Sequence, residues 1–261
     1  MNVMNRASAS GIEGCGCGSC RRLSDLGTGN SPVGASLSRR HFLGRAVVGA
    51  AAGLLPAAAV ELALSRAARA ATSMTPDQAI QELVSGNRRF SEGRLSAFDQ
   101  DLAILKQKTV DKQEPFAAVL SCADSRVPVE LIFDQSIGHL FVTRVAGNVA
   151  TAEMIASLEY GAAVLGTKAI MVLGHSNCGA VKESIAAKAA PGQISALYSY
   201  IRPAVDVAGT DVDEVGKANV KIQAAILRES SPVLAELIKA KSLVVVAGFY
   251  DLASGNVGIL S

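Results

Sequence analysis

The sequence predicts an α/β fold in which helices flank a mainly parallel β-sheet. The first observation is a set of short, almost continuous apolar runs, the pattern of parallel strands that are covered on both faces. The second is that segments with helical patterning separate these runs, as connections between parallel strands require. The predicted strands are 116–120, 140–145, 169–173 and 243–247.

The predicted helices begin with an N-terminal arm. Thr75 followed by Pro76 is typical of a helix start, with Thr as the N-cap and Pro at the first helical position. Its apolar stripe would consist of Ile80, Leu83, Val84 and Phe90. A second arm helix is expected at 99–108, and later helices are expected at 151–165, 180–189 and 211–240.

The first seventy residues predict an export signal. Residues 38–43 read SRRHFL and match the twin-arginine pattern S-R-R-x-F-L, and a weakly apolar run follows at 46–64. Ala68, Arg69 and Ala70 form an A-x-A cleavage site. We therefore expect residues 1–70 to be a disordered region with a removable twin-arginine signal, read by the twin-arginine export machinery.

The apolar run of this signal is a poor membrane span. Pro56 and Glu61 interrupt it, and it is shorter than the roughly twenty clean residues that a span prefers. We expect a periplasmic mature domain over 71–261, long enough for one α/β domain with a sizeable core. The alternative is a protein anchored in the membrane by an uncleaved signal.

Charge separates the two regions. Residues 1–70 hold eight Arg and three acidic residues, so their removal changes the formal net charge from +2 to −3, with 17 basic and 20 acidic residues remaining. The mature region has no basic stripe with interleaved aromatic residues, which argues against nucleic-acid binding. Cys15, Cys17 and Cys20 have C-x-C-x-x-C spacing, but they lie in a Gly/Ser-rich stretch that favours disorder over a metal site.

Two motifs carry the candidate chemistry. Cys122, Asp124 and Arg126 lie in SCADSRVP after the first predicted strand, and His175 and Cys178 lie in GHSNCGA after the third. Two thiolates and one imidazole occupy three of the four tetrahedral positions that Zn²⁺ prefers, and the fourth is left for water, as a catalytic site requires. The rival interpretation is a disulfide, because an exported chain with two cysteines would ordinarily form one.

The C-x-D-x-R run followed by H-x-x-C, each after a buried strand, resembles the β-class carbonic anhydrases. The similarity extends from about Gln113 to Tyr250 and includes RVAGN at 144–148 and VVVAGFYDLASG near the C-terminus. The resemblance implies a four-stranded parallel core with a fifth strand added, hence a sheet of four to five strands, and an arm that wraps a second subunit. It also implies homodimers, tetramers or larger assemblies, with one zinc per subunit.

The implied activity is the reversible hydration of carbon dioxide to bicarbonate and a proton. Cys122, His175 and Cys178 would hold the zinc, Asp124 would orient the attacking hydroxide, and Arg126 would hold Asp124 through a bidentate fork. In some members of this class the pair breaks and the aspartate becomes the fourth zinc ligand, so Asp124 is a metal ligand only in a closed state. Such members often carry a Trp where this chain has Val119, which favours the open form here.

The resemblance assigns further residues to substrate. Gln113 matches a glutamine that reaches the substrate from the neighbouring subunit, and Phe141 and Ala146 match positions that line an apolar CO₂ pocket. Gly179 would offer a backbone N–H to bicarbonate. His139 and Tyr160 are both candidates for the proton relay.

Two other functions fit the same motifs. One is a hydrolase of carbon disulfide or carbonyl sulfide on the same scaffold. The other is a non-catalytic binding protein that keeps the fold, which loss of a ligand or of the Asp-Arg pair would indicate.

Overall fold

A computed structural model describes residues 72–97, 107 and 109–261 of the chain. These residues form a five-stranded sheet in the order β2-β1-β3-β4-β5. The strands are β1 (Ala117–Ser121), β2 (Leu140–Arg144), β3 (Ala169–His175), β4 (Val244–Tyr250) and β5 (Val257–Leu260). The first four pair in parallel and β5 pairs antiparallel with β4, which confirms the predicted fold class. The predicted export signal lies outside the described residues, as does the second arm helix apart from Gln107.

Helices cover both faces of the sheet. They are α1 (Pro76–Ser91), α2 (Val129–Ile132), α3 (Ala152–Glu159), α4 (Gly179–Ala186), α5 (Tyr198–Ala208), α6 (Val212–Ser230) and α7 (Pro232–Lys239). A π-helical turn at Tyr160–Val164 continues α3, and a 3₁₀ turn at Ile194–Leu197 precedes α5. Within the described ranges, no helix is long and apolar enough to cross a membrane.

The predicted single helix at 211–240 is wrong, because the chain breaks it at Ser231. The Ser231 hydroxyl accepts a hydrogen bond from the Leu234 N–H (3.0 Å) and so caps α7. Pro232 follows as the first residue of α7, where its missing N–H costs nothing. Helix α5 was not predicted, since Pro203 lies inside it and Pro ordinarily marks a helix end.

Helix α1 starts where the sequence predicts. Thr75 and Gln78 form a capping box, in which each side chain accepts a hydrogen bond from the other residue's backbone N–H. The predicted apolar stripe is correct at Leu83, which is fully buried, but wrong at Val84, which is 46% exposed. Asn87 then ties the helix to the C-terminal strand, because its amide donates to the Gly255 carbonyl (2.9 Å) and accepts from the Val257 N–H (2.8 Å).

The parallel register sets the position of the functional residues. Strands β1 and β3 are buried along their whole length, and Ser121 pairs with Leu173 at the end of the shared ladder. Because parallel strands end at the same edge of a sheet, Cys122 and His175 come together there, where open α/β sheets bind their ligands. Cys122 and Cys178 lie in an apolar cluster with buried side chains that include Val149, Ile201 and Val215.

Candidate metal centre

Three buried ligand groups converge at the carboxyl edge of the sheet. Cys122 is the first residue after β1, His175 is the last residue of β3, and Cys178 directly precedes α4. Their ligand atoms all lie within 4.8 Å of one another. The structure therefore brings together the three residues that the sequence predicts as metal ligands.

The spacing of the two sulfurs fits a metal site better than a disulfide. Cys122 Sγ and Cys178 Sγ lie 3.9 Å apart and both thiols are free. A disulfide needs about 2.05 Å. Two Zn–S bonds of about 2.3 Å at a tetrahedral angle would separate the sulfurs by about 3.8 Å.

His175 presents one ring nitrogen to the cluster. Its Nδ1 donates to the Ser176 carbonyl at 2.9 Å, which fixes the tautomer, because a carbonyl can only accept. Its Nε2 is then a lone-pair donor that is buried and has no hydrogen-bond partner among the described residues. An unpartnered buried nitrogen is costly, and a bound metal ion would satisfy it.

Local electrostatics favour a thiolate at this position. The hydrogen bonds from Cys178 and from the Gly147 N–H lower the pKa of the Cys122 thiol, and burial opposes them. That N–H lies 3.3 Å from Cys122 Sγ. The same contact with Cys122, together with burial, raises the pKa of Cys178. These contacts favour the thiolate form of Cys122, which is the form that donates to a metal.

Asp124 and Arg126 form an ion pair beside the cluster. Asp124 Oδ1 accepts from Arg126 N (3.0 Å) and Nε (2.9 Å), and Oδ2 accepts from Arg126 Nη2 (2.7 Å). These bonds hold the pKa of Asp124 well below its usual range. Asp124 Oδ2 also lies 3.7 Å from His175 Nε2, so the carboxylate borders the cluster while Arg126 binds both of its oxygens. This is the arrangement expected of the open form.

Sequence reasoning missed the support for the first ligand loop. Arg144 Nε donates to the Cys122 carbonyl (2.9 Å), and Arg144 Nη2 donates to the Asp124 carbonyl (2.6 Å). Since Arg144 ends β2, it fixes this loop to the neighbouring strand. The sequence signal for this role of Arg144 was its position as the first residue of the RVAGN segment.

Buried amides on helix α6 support the neighbouring loop. Asn219 Nδ2 donates to the Gly147 carbonyl (2.9 Å), and Gln223 Oε1 accepts from the Ala150 N–H (2.9 Å). Gln223 Nε2 also donates to Asn219 Oδ1 (3.1 Å). This network holds Gly147, whose N–H contacts the Cys122 sulfur. The sequence signal for it was an Asn and a Gln four residues apart in an amphipathic helix.

The other predicted site residues divide between the two ends of the sheet. Ala146 precedes Gly147 near Cys122. Gly179 follows Cys178, and apart from its chain neighbours and the backbone of its own helix, no described atom lies within 4 Å of where its Cβ would be. Phe141 pairs with Ala118, and Ala118 lies four residues before Cys122. Phe141 is therefore about 13 Å from the level of Cys122 along the strand direction.

A cleft lies near the other end of the sheet. The Phe141 ring is 6.1 Å from the Tyr160 ring, and Tyr160 and Gln113 line this cleft of about 560 Å³. His139 also lies at this end, next to Gln135 (Nδ1 to Oε1, 3.3 Å). Neither relay candidate therefore adjoins the ligand cluster of its own chain.

A parallel sheet with a buried Cys-His-Cys cluster at its carboxyl edge, next to a carboxylate–guanidinium pair, defines an α/β protein with a candidate catalytic metal centre. The family model described as carbonic anhydrase matches residues 117–257. The chain belongs to the carbonic anhydrase family.

Relatives and solved structures agree with this assignment. Carbonic anhydrase 2 of Mycobacterium tuberculosis is 36% identical over 189 residues, covering 69% of this chain and 91% of the relative. Carbonic anhydrase of Mycolicibacterium smegmatis is 34% identical over 194 residues, which cover 71% of this chain and 94% of the relative. The structure of the β-carbonic anhydrase of Coccomyxa, solved with acetazolamide, matches with a TM-score of 0.54 at 26% identity. The match covers 68% of this chain and 84% of the Coccomyxa chain.

A tetrameric β-carbonic anhydrase of Sordaria macrospora matches with a TM-score of 0.56 at 23% identity, covering 68% of this chain and 94% of that one, which shows the shared fold. The resemblance to the β class that the two motifs indicate is confirmed.

Proposed function

We propose that this chain is a zinc-dependent β-class carbonic anhydrase that interconverts carbon dioxide and water with bicarbonate and a proton. The observation that carries the proposal is the buried Cys122-His175-Cys178 cluster, with an unpartnered Nε2, beside an intact Asp124–Arg126 pair. The donor set suits zinc, since two thiolates and one imidazole leave one tetrahedral position for a small molecule. Relatives named carbonic anhydrase support the activity.

Zinc, when bound, would lower the pKa of a water molecule to about 7 and so make hydroxide available at neutral pH. The chain's own residues would then orient the reactants. Asp124 stays ionised and can accept a hydrogen bond from the nucleophile but cannot donate one, which directs the attacking lone pair toward carbon. Arg126 holds that carboxylate in place through its fork. Ala146 would contribute an apolar wall for carbon dioxide, and the Gly179 N–H would bind an oxygen of bicarbonate.

Metal analysis and a hydration assay on residues 71–261 test this proposal. We expect one zinc per chain, hydration that a chelator abolishes, and recovery when zinc is returned. Carbonyl sulfide and carbon disulfide should be offered in parallel. Faster turnover of either would instead identify the sister hydrolase, and a zinc-loaded protein that converts none of the three would be a non-catalytic member of the fold.

The proposal includes an assembly of at least two copies. Gln113 and Tyr160 lie at the end of the sheet away from the ligand cluster of their own chain, so they can serve only the cluster of another copy. Exposed apolar side chains line the same cleft, namely Val110 (74% exposed), Ile137 (36%) and Tyr160 (46%). Such a surface is typical of an interface, and the Sordaria macrospora relative is tetrameric.

A hybrid of two variants tests whether Gln113 acts across subunits. Gln113→Ala should retain zinc and lower kcat/KM by about tenfold, the value of one hydrogen bond to substrate. Co-expression with His175→Ala should restore activity, because a metal-loaded Gln113→Ala subunit then receives Gln113 from its partner. Lys112→Ala, which changes the adjacent exposed residue, is the control. Hybrids no more active than the mean of the two parent proteins would place Gln113 outside the partner's site.

We also propose that residues 1–70 send the folded, zinc-loaded domain to the periplasm by the twin-arginine route. The support is the SRRHFL match, the A-x-A site, and the concentration of eight Arg in this region. Twin-arginine export transports folded proteins, so zinc could bind before the chain leaves the cytoplasm.

Replacing Arg39 and Arg40 together with Lys is expected to retain the protein in the cytoplasm. The change preserves charge but removes the guanidinium groups that the export machinery reads. Arg21 and Arg22 form a second arginine pair outside the motif, so their double Lys variant is a matched control that should be exported normally. Cell fractionation gives the result. Normal periplasmic amounts of the Arg39/Arg40 variant, starting at Ala71, would indicate general secretion instead.

A further inference from the structure

The turn between the last two ligands is held under conformational constraint. Asn177 lies between His175 and Cys178 and has φ +58°, in the left-handed region that non-glycine residues seldom adopt. Ser176 is tied to the end of β4, because its N–H donates to the Tyr250 carbonyl (2.9 Å) and its hydroxyl accepts from the Leu252 N–H (2.9 Å). Asn177 is tied elsewhere, to helix α6.

The contact on α6 is Asp213. Its Oδ1 accepts a hydrogen bond from the Asn177 N–H at 2.8 Å, across 36 residues of sequence. Capping the helix does not require Asp213, because Asp211 is the N-cap and accepts from Asp213 N (3.0 Å) and Glu214 N (2.9 Å). One aspartate therefore caps α6, and the other reaches out of the helix to the ligand turn.

The same turn contacts the Asp-Arg pair. The Asn177 carbonyl accepts a hydrogen bond from Arg126 Nη2 at 3.3 Å, and the same nitrogen donates to Asp124 Oδ2 at 2.7 Å. A shift of Asn177 would remove this second acceptor from the guanidinium that holds Asp124. Asp213 is thereby connected through Asn177 and Arg126 to the carboxylate beside the cluster.

Helix α6 contacts both ligand loops. Asp213 binds the turn before Cys178, and Asn219, six residues further along, binds Gly147, whose N–H contacts the Cys122 sulfur. The two residues are about 9 Å apart along one helix, and α6 packs on β3 and β4. A rigid element that donates no ligand thus sets the relative positions of the Cys122 and Cys178 loops.

We propose that Asp213 is a positioning residue of the metal centre. It contacts neither the ligand atoms nor the Asp124 carboxylate, and it acts by holding the His175–Cys178 turn in its left-handed conformation. That conformation places Cys178 against the cluster and keeps a second acceptor on Arg126. The inference rests on the proposed zinc site, and residues that orient metal ligands in this way typically affect metal affinity or activity by about 10- to 100-fold.

Three variants separate this role from a contribution to helix stability. Asp213→Ala removes the acceptor, Asp213→Asn keeps an oxygen that can accept from Asn177, and Asp211→Ala removes the helix cap without touching the turn. The measurements are the rate of zinc transfer to a chromophoric chelator, the melting temperature, and kcat and KM for carbon dioxide. Zinc transfer does not depend on activity, so it tests the inference even if the wild-type protein hydrates no carbon dioxide.

We expect Asp213→Ala to release zinc about tenfold faster or more and to lose kcat with little change in KM. Asp213→Asn should restore both values to near wild type. Asp211→Ala should lower the melting temperature but release zinc at the wild-type rate. The inference fails if Asp213→Ala releases zinc normally, if Asp213→Asn is equally defective, or if Asp211→Ala reproduces the zinc effect. A wild-type protein that binds no zinc would overturn the proposed function and this inference together.

Discussion

Arg126→Ala is expected to keep zinc and to lose carbon dioxide hydration by about 10² or more, the upper range for groups that orient a metal site. The substitution removes the hydrogen bonds from Nε and Nη2 and leaves Asp124 only the backbone N–H of residue 126. The carboxylate can then rotate away from the nucleophile. The three ligand residues are unchanged, so zinc content should stay at one per chain. Zinc analysis and kcat/KM on the same sample provide the measurement.

A surface ion pair supplies the matched control for this substitution. Arg202 Nε binds Asp206 at 2.8 Å on helix α5, and both side chains are about 60% exposed. Arg202→Ala should leave activity unchanged, because exposed pairs contribute little. Arg126→Lys keeps the charge without the fork and should stay impaired, as should Asp124→Asn. Full activity in Arg126→Ala or Asp124→Asn would show that the pair is only structural.

The sheet and the ligand cluster were predictable from the sequence for one physical reason. Parallel strands buried on both faces have to be apolar along their length, so β1 and β3 are visible as runs, and polar residues that follow them stand out. Cys122 and His175 follow or end two such strands, and parallel pairing then brings them to one edge. The same local logic predicted the Thr75 cap of α1.

The long-range contacts were not predictable in this way. Asp213 binds Asn177 across 36 residues and Asn219 binds Gly147 across 72, and both contacts depend on how α6 packs on the sheet. A hydrophobic pattern places a helix on a sheet but does not determine which of its polar residues meets a given loop. The break at Ser231 was visible locally, as a capping residue before Pro232, but the continuous helical pattern on either side concealed it.

The division of the predicted substrate residues also needed the structure. Motif spacing assigns Gln113, Phe141, Ala146 and Gly179 to the substrate site alike, because it does not indicate at which end of the sheet each residue lies. The register shows that Phe141 lies beside Ala118, toward the opposite end of β1 from Cys122. This geometry is the basis for our proposal that a single chain holds part of the substrate site and a second copy supplies the rest.

His175→Ala is expected to abolish both zinc binding and hydration, as are Cys122→Ser and Cys178→Ser. The His175→Ala variant removes one of three protein ligands and leaves two buried sulfurs 3.9 Å apart, while both oxygens of the neighbouring Asp124 carboxylate are bound by Arg126. The effect should exceed the roughly 100-fold upper range for groups that only orient ligands. The zinc-to-protein ratio of purified residues 71–261 measures the loss directly.

Thiol titration and a control variant at the other histidine test whether the loss of zinc is due to the missing His175 ligand. Residues 71–261 contain only two cysteines, Cys122 and Cys178, which zinc should protect in the wild type and which should both react in His175→Ala. His139→Ala changes the other histidine of this region, at the far end of the sheet, and should retain zinc. If the active wild-type protein, denatured without reductant, showed no free thiol, Cys122 and Cys178 would form a disulfide. The metal centre would then be wrong, because a disulfide sulfur is not the thiolate that zinc requires.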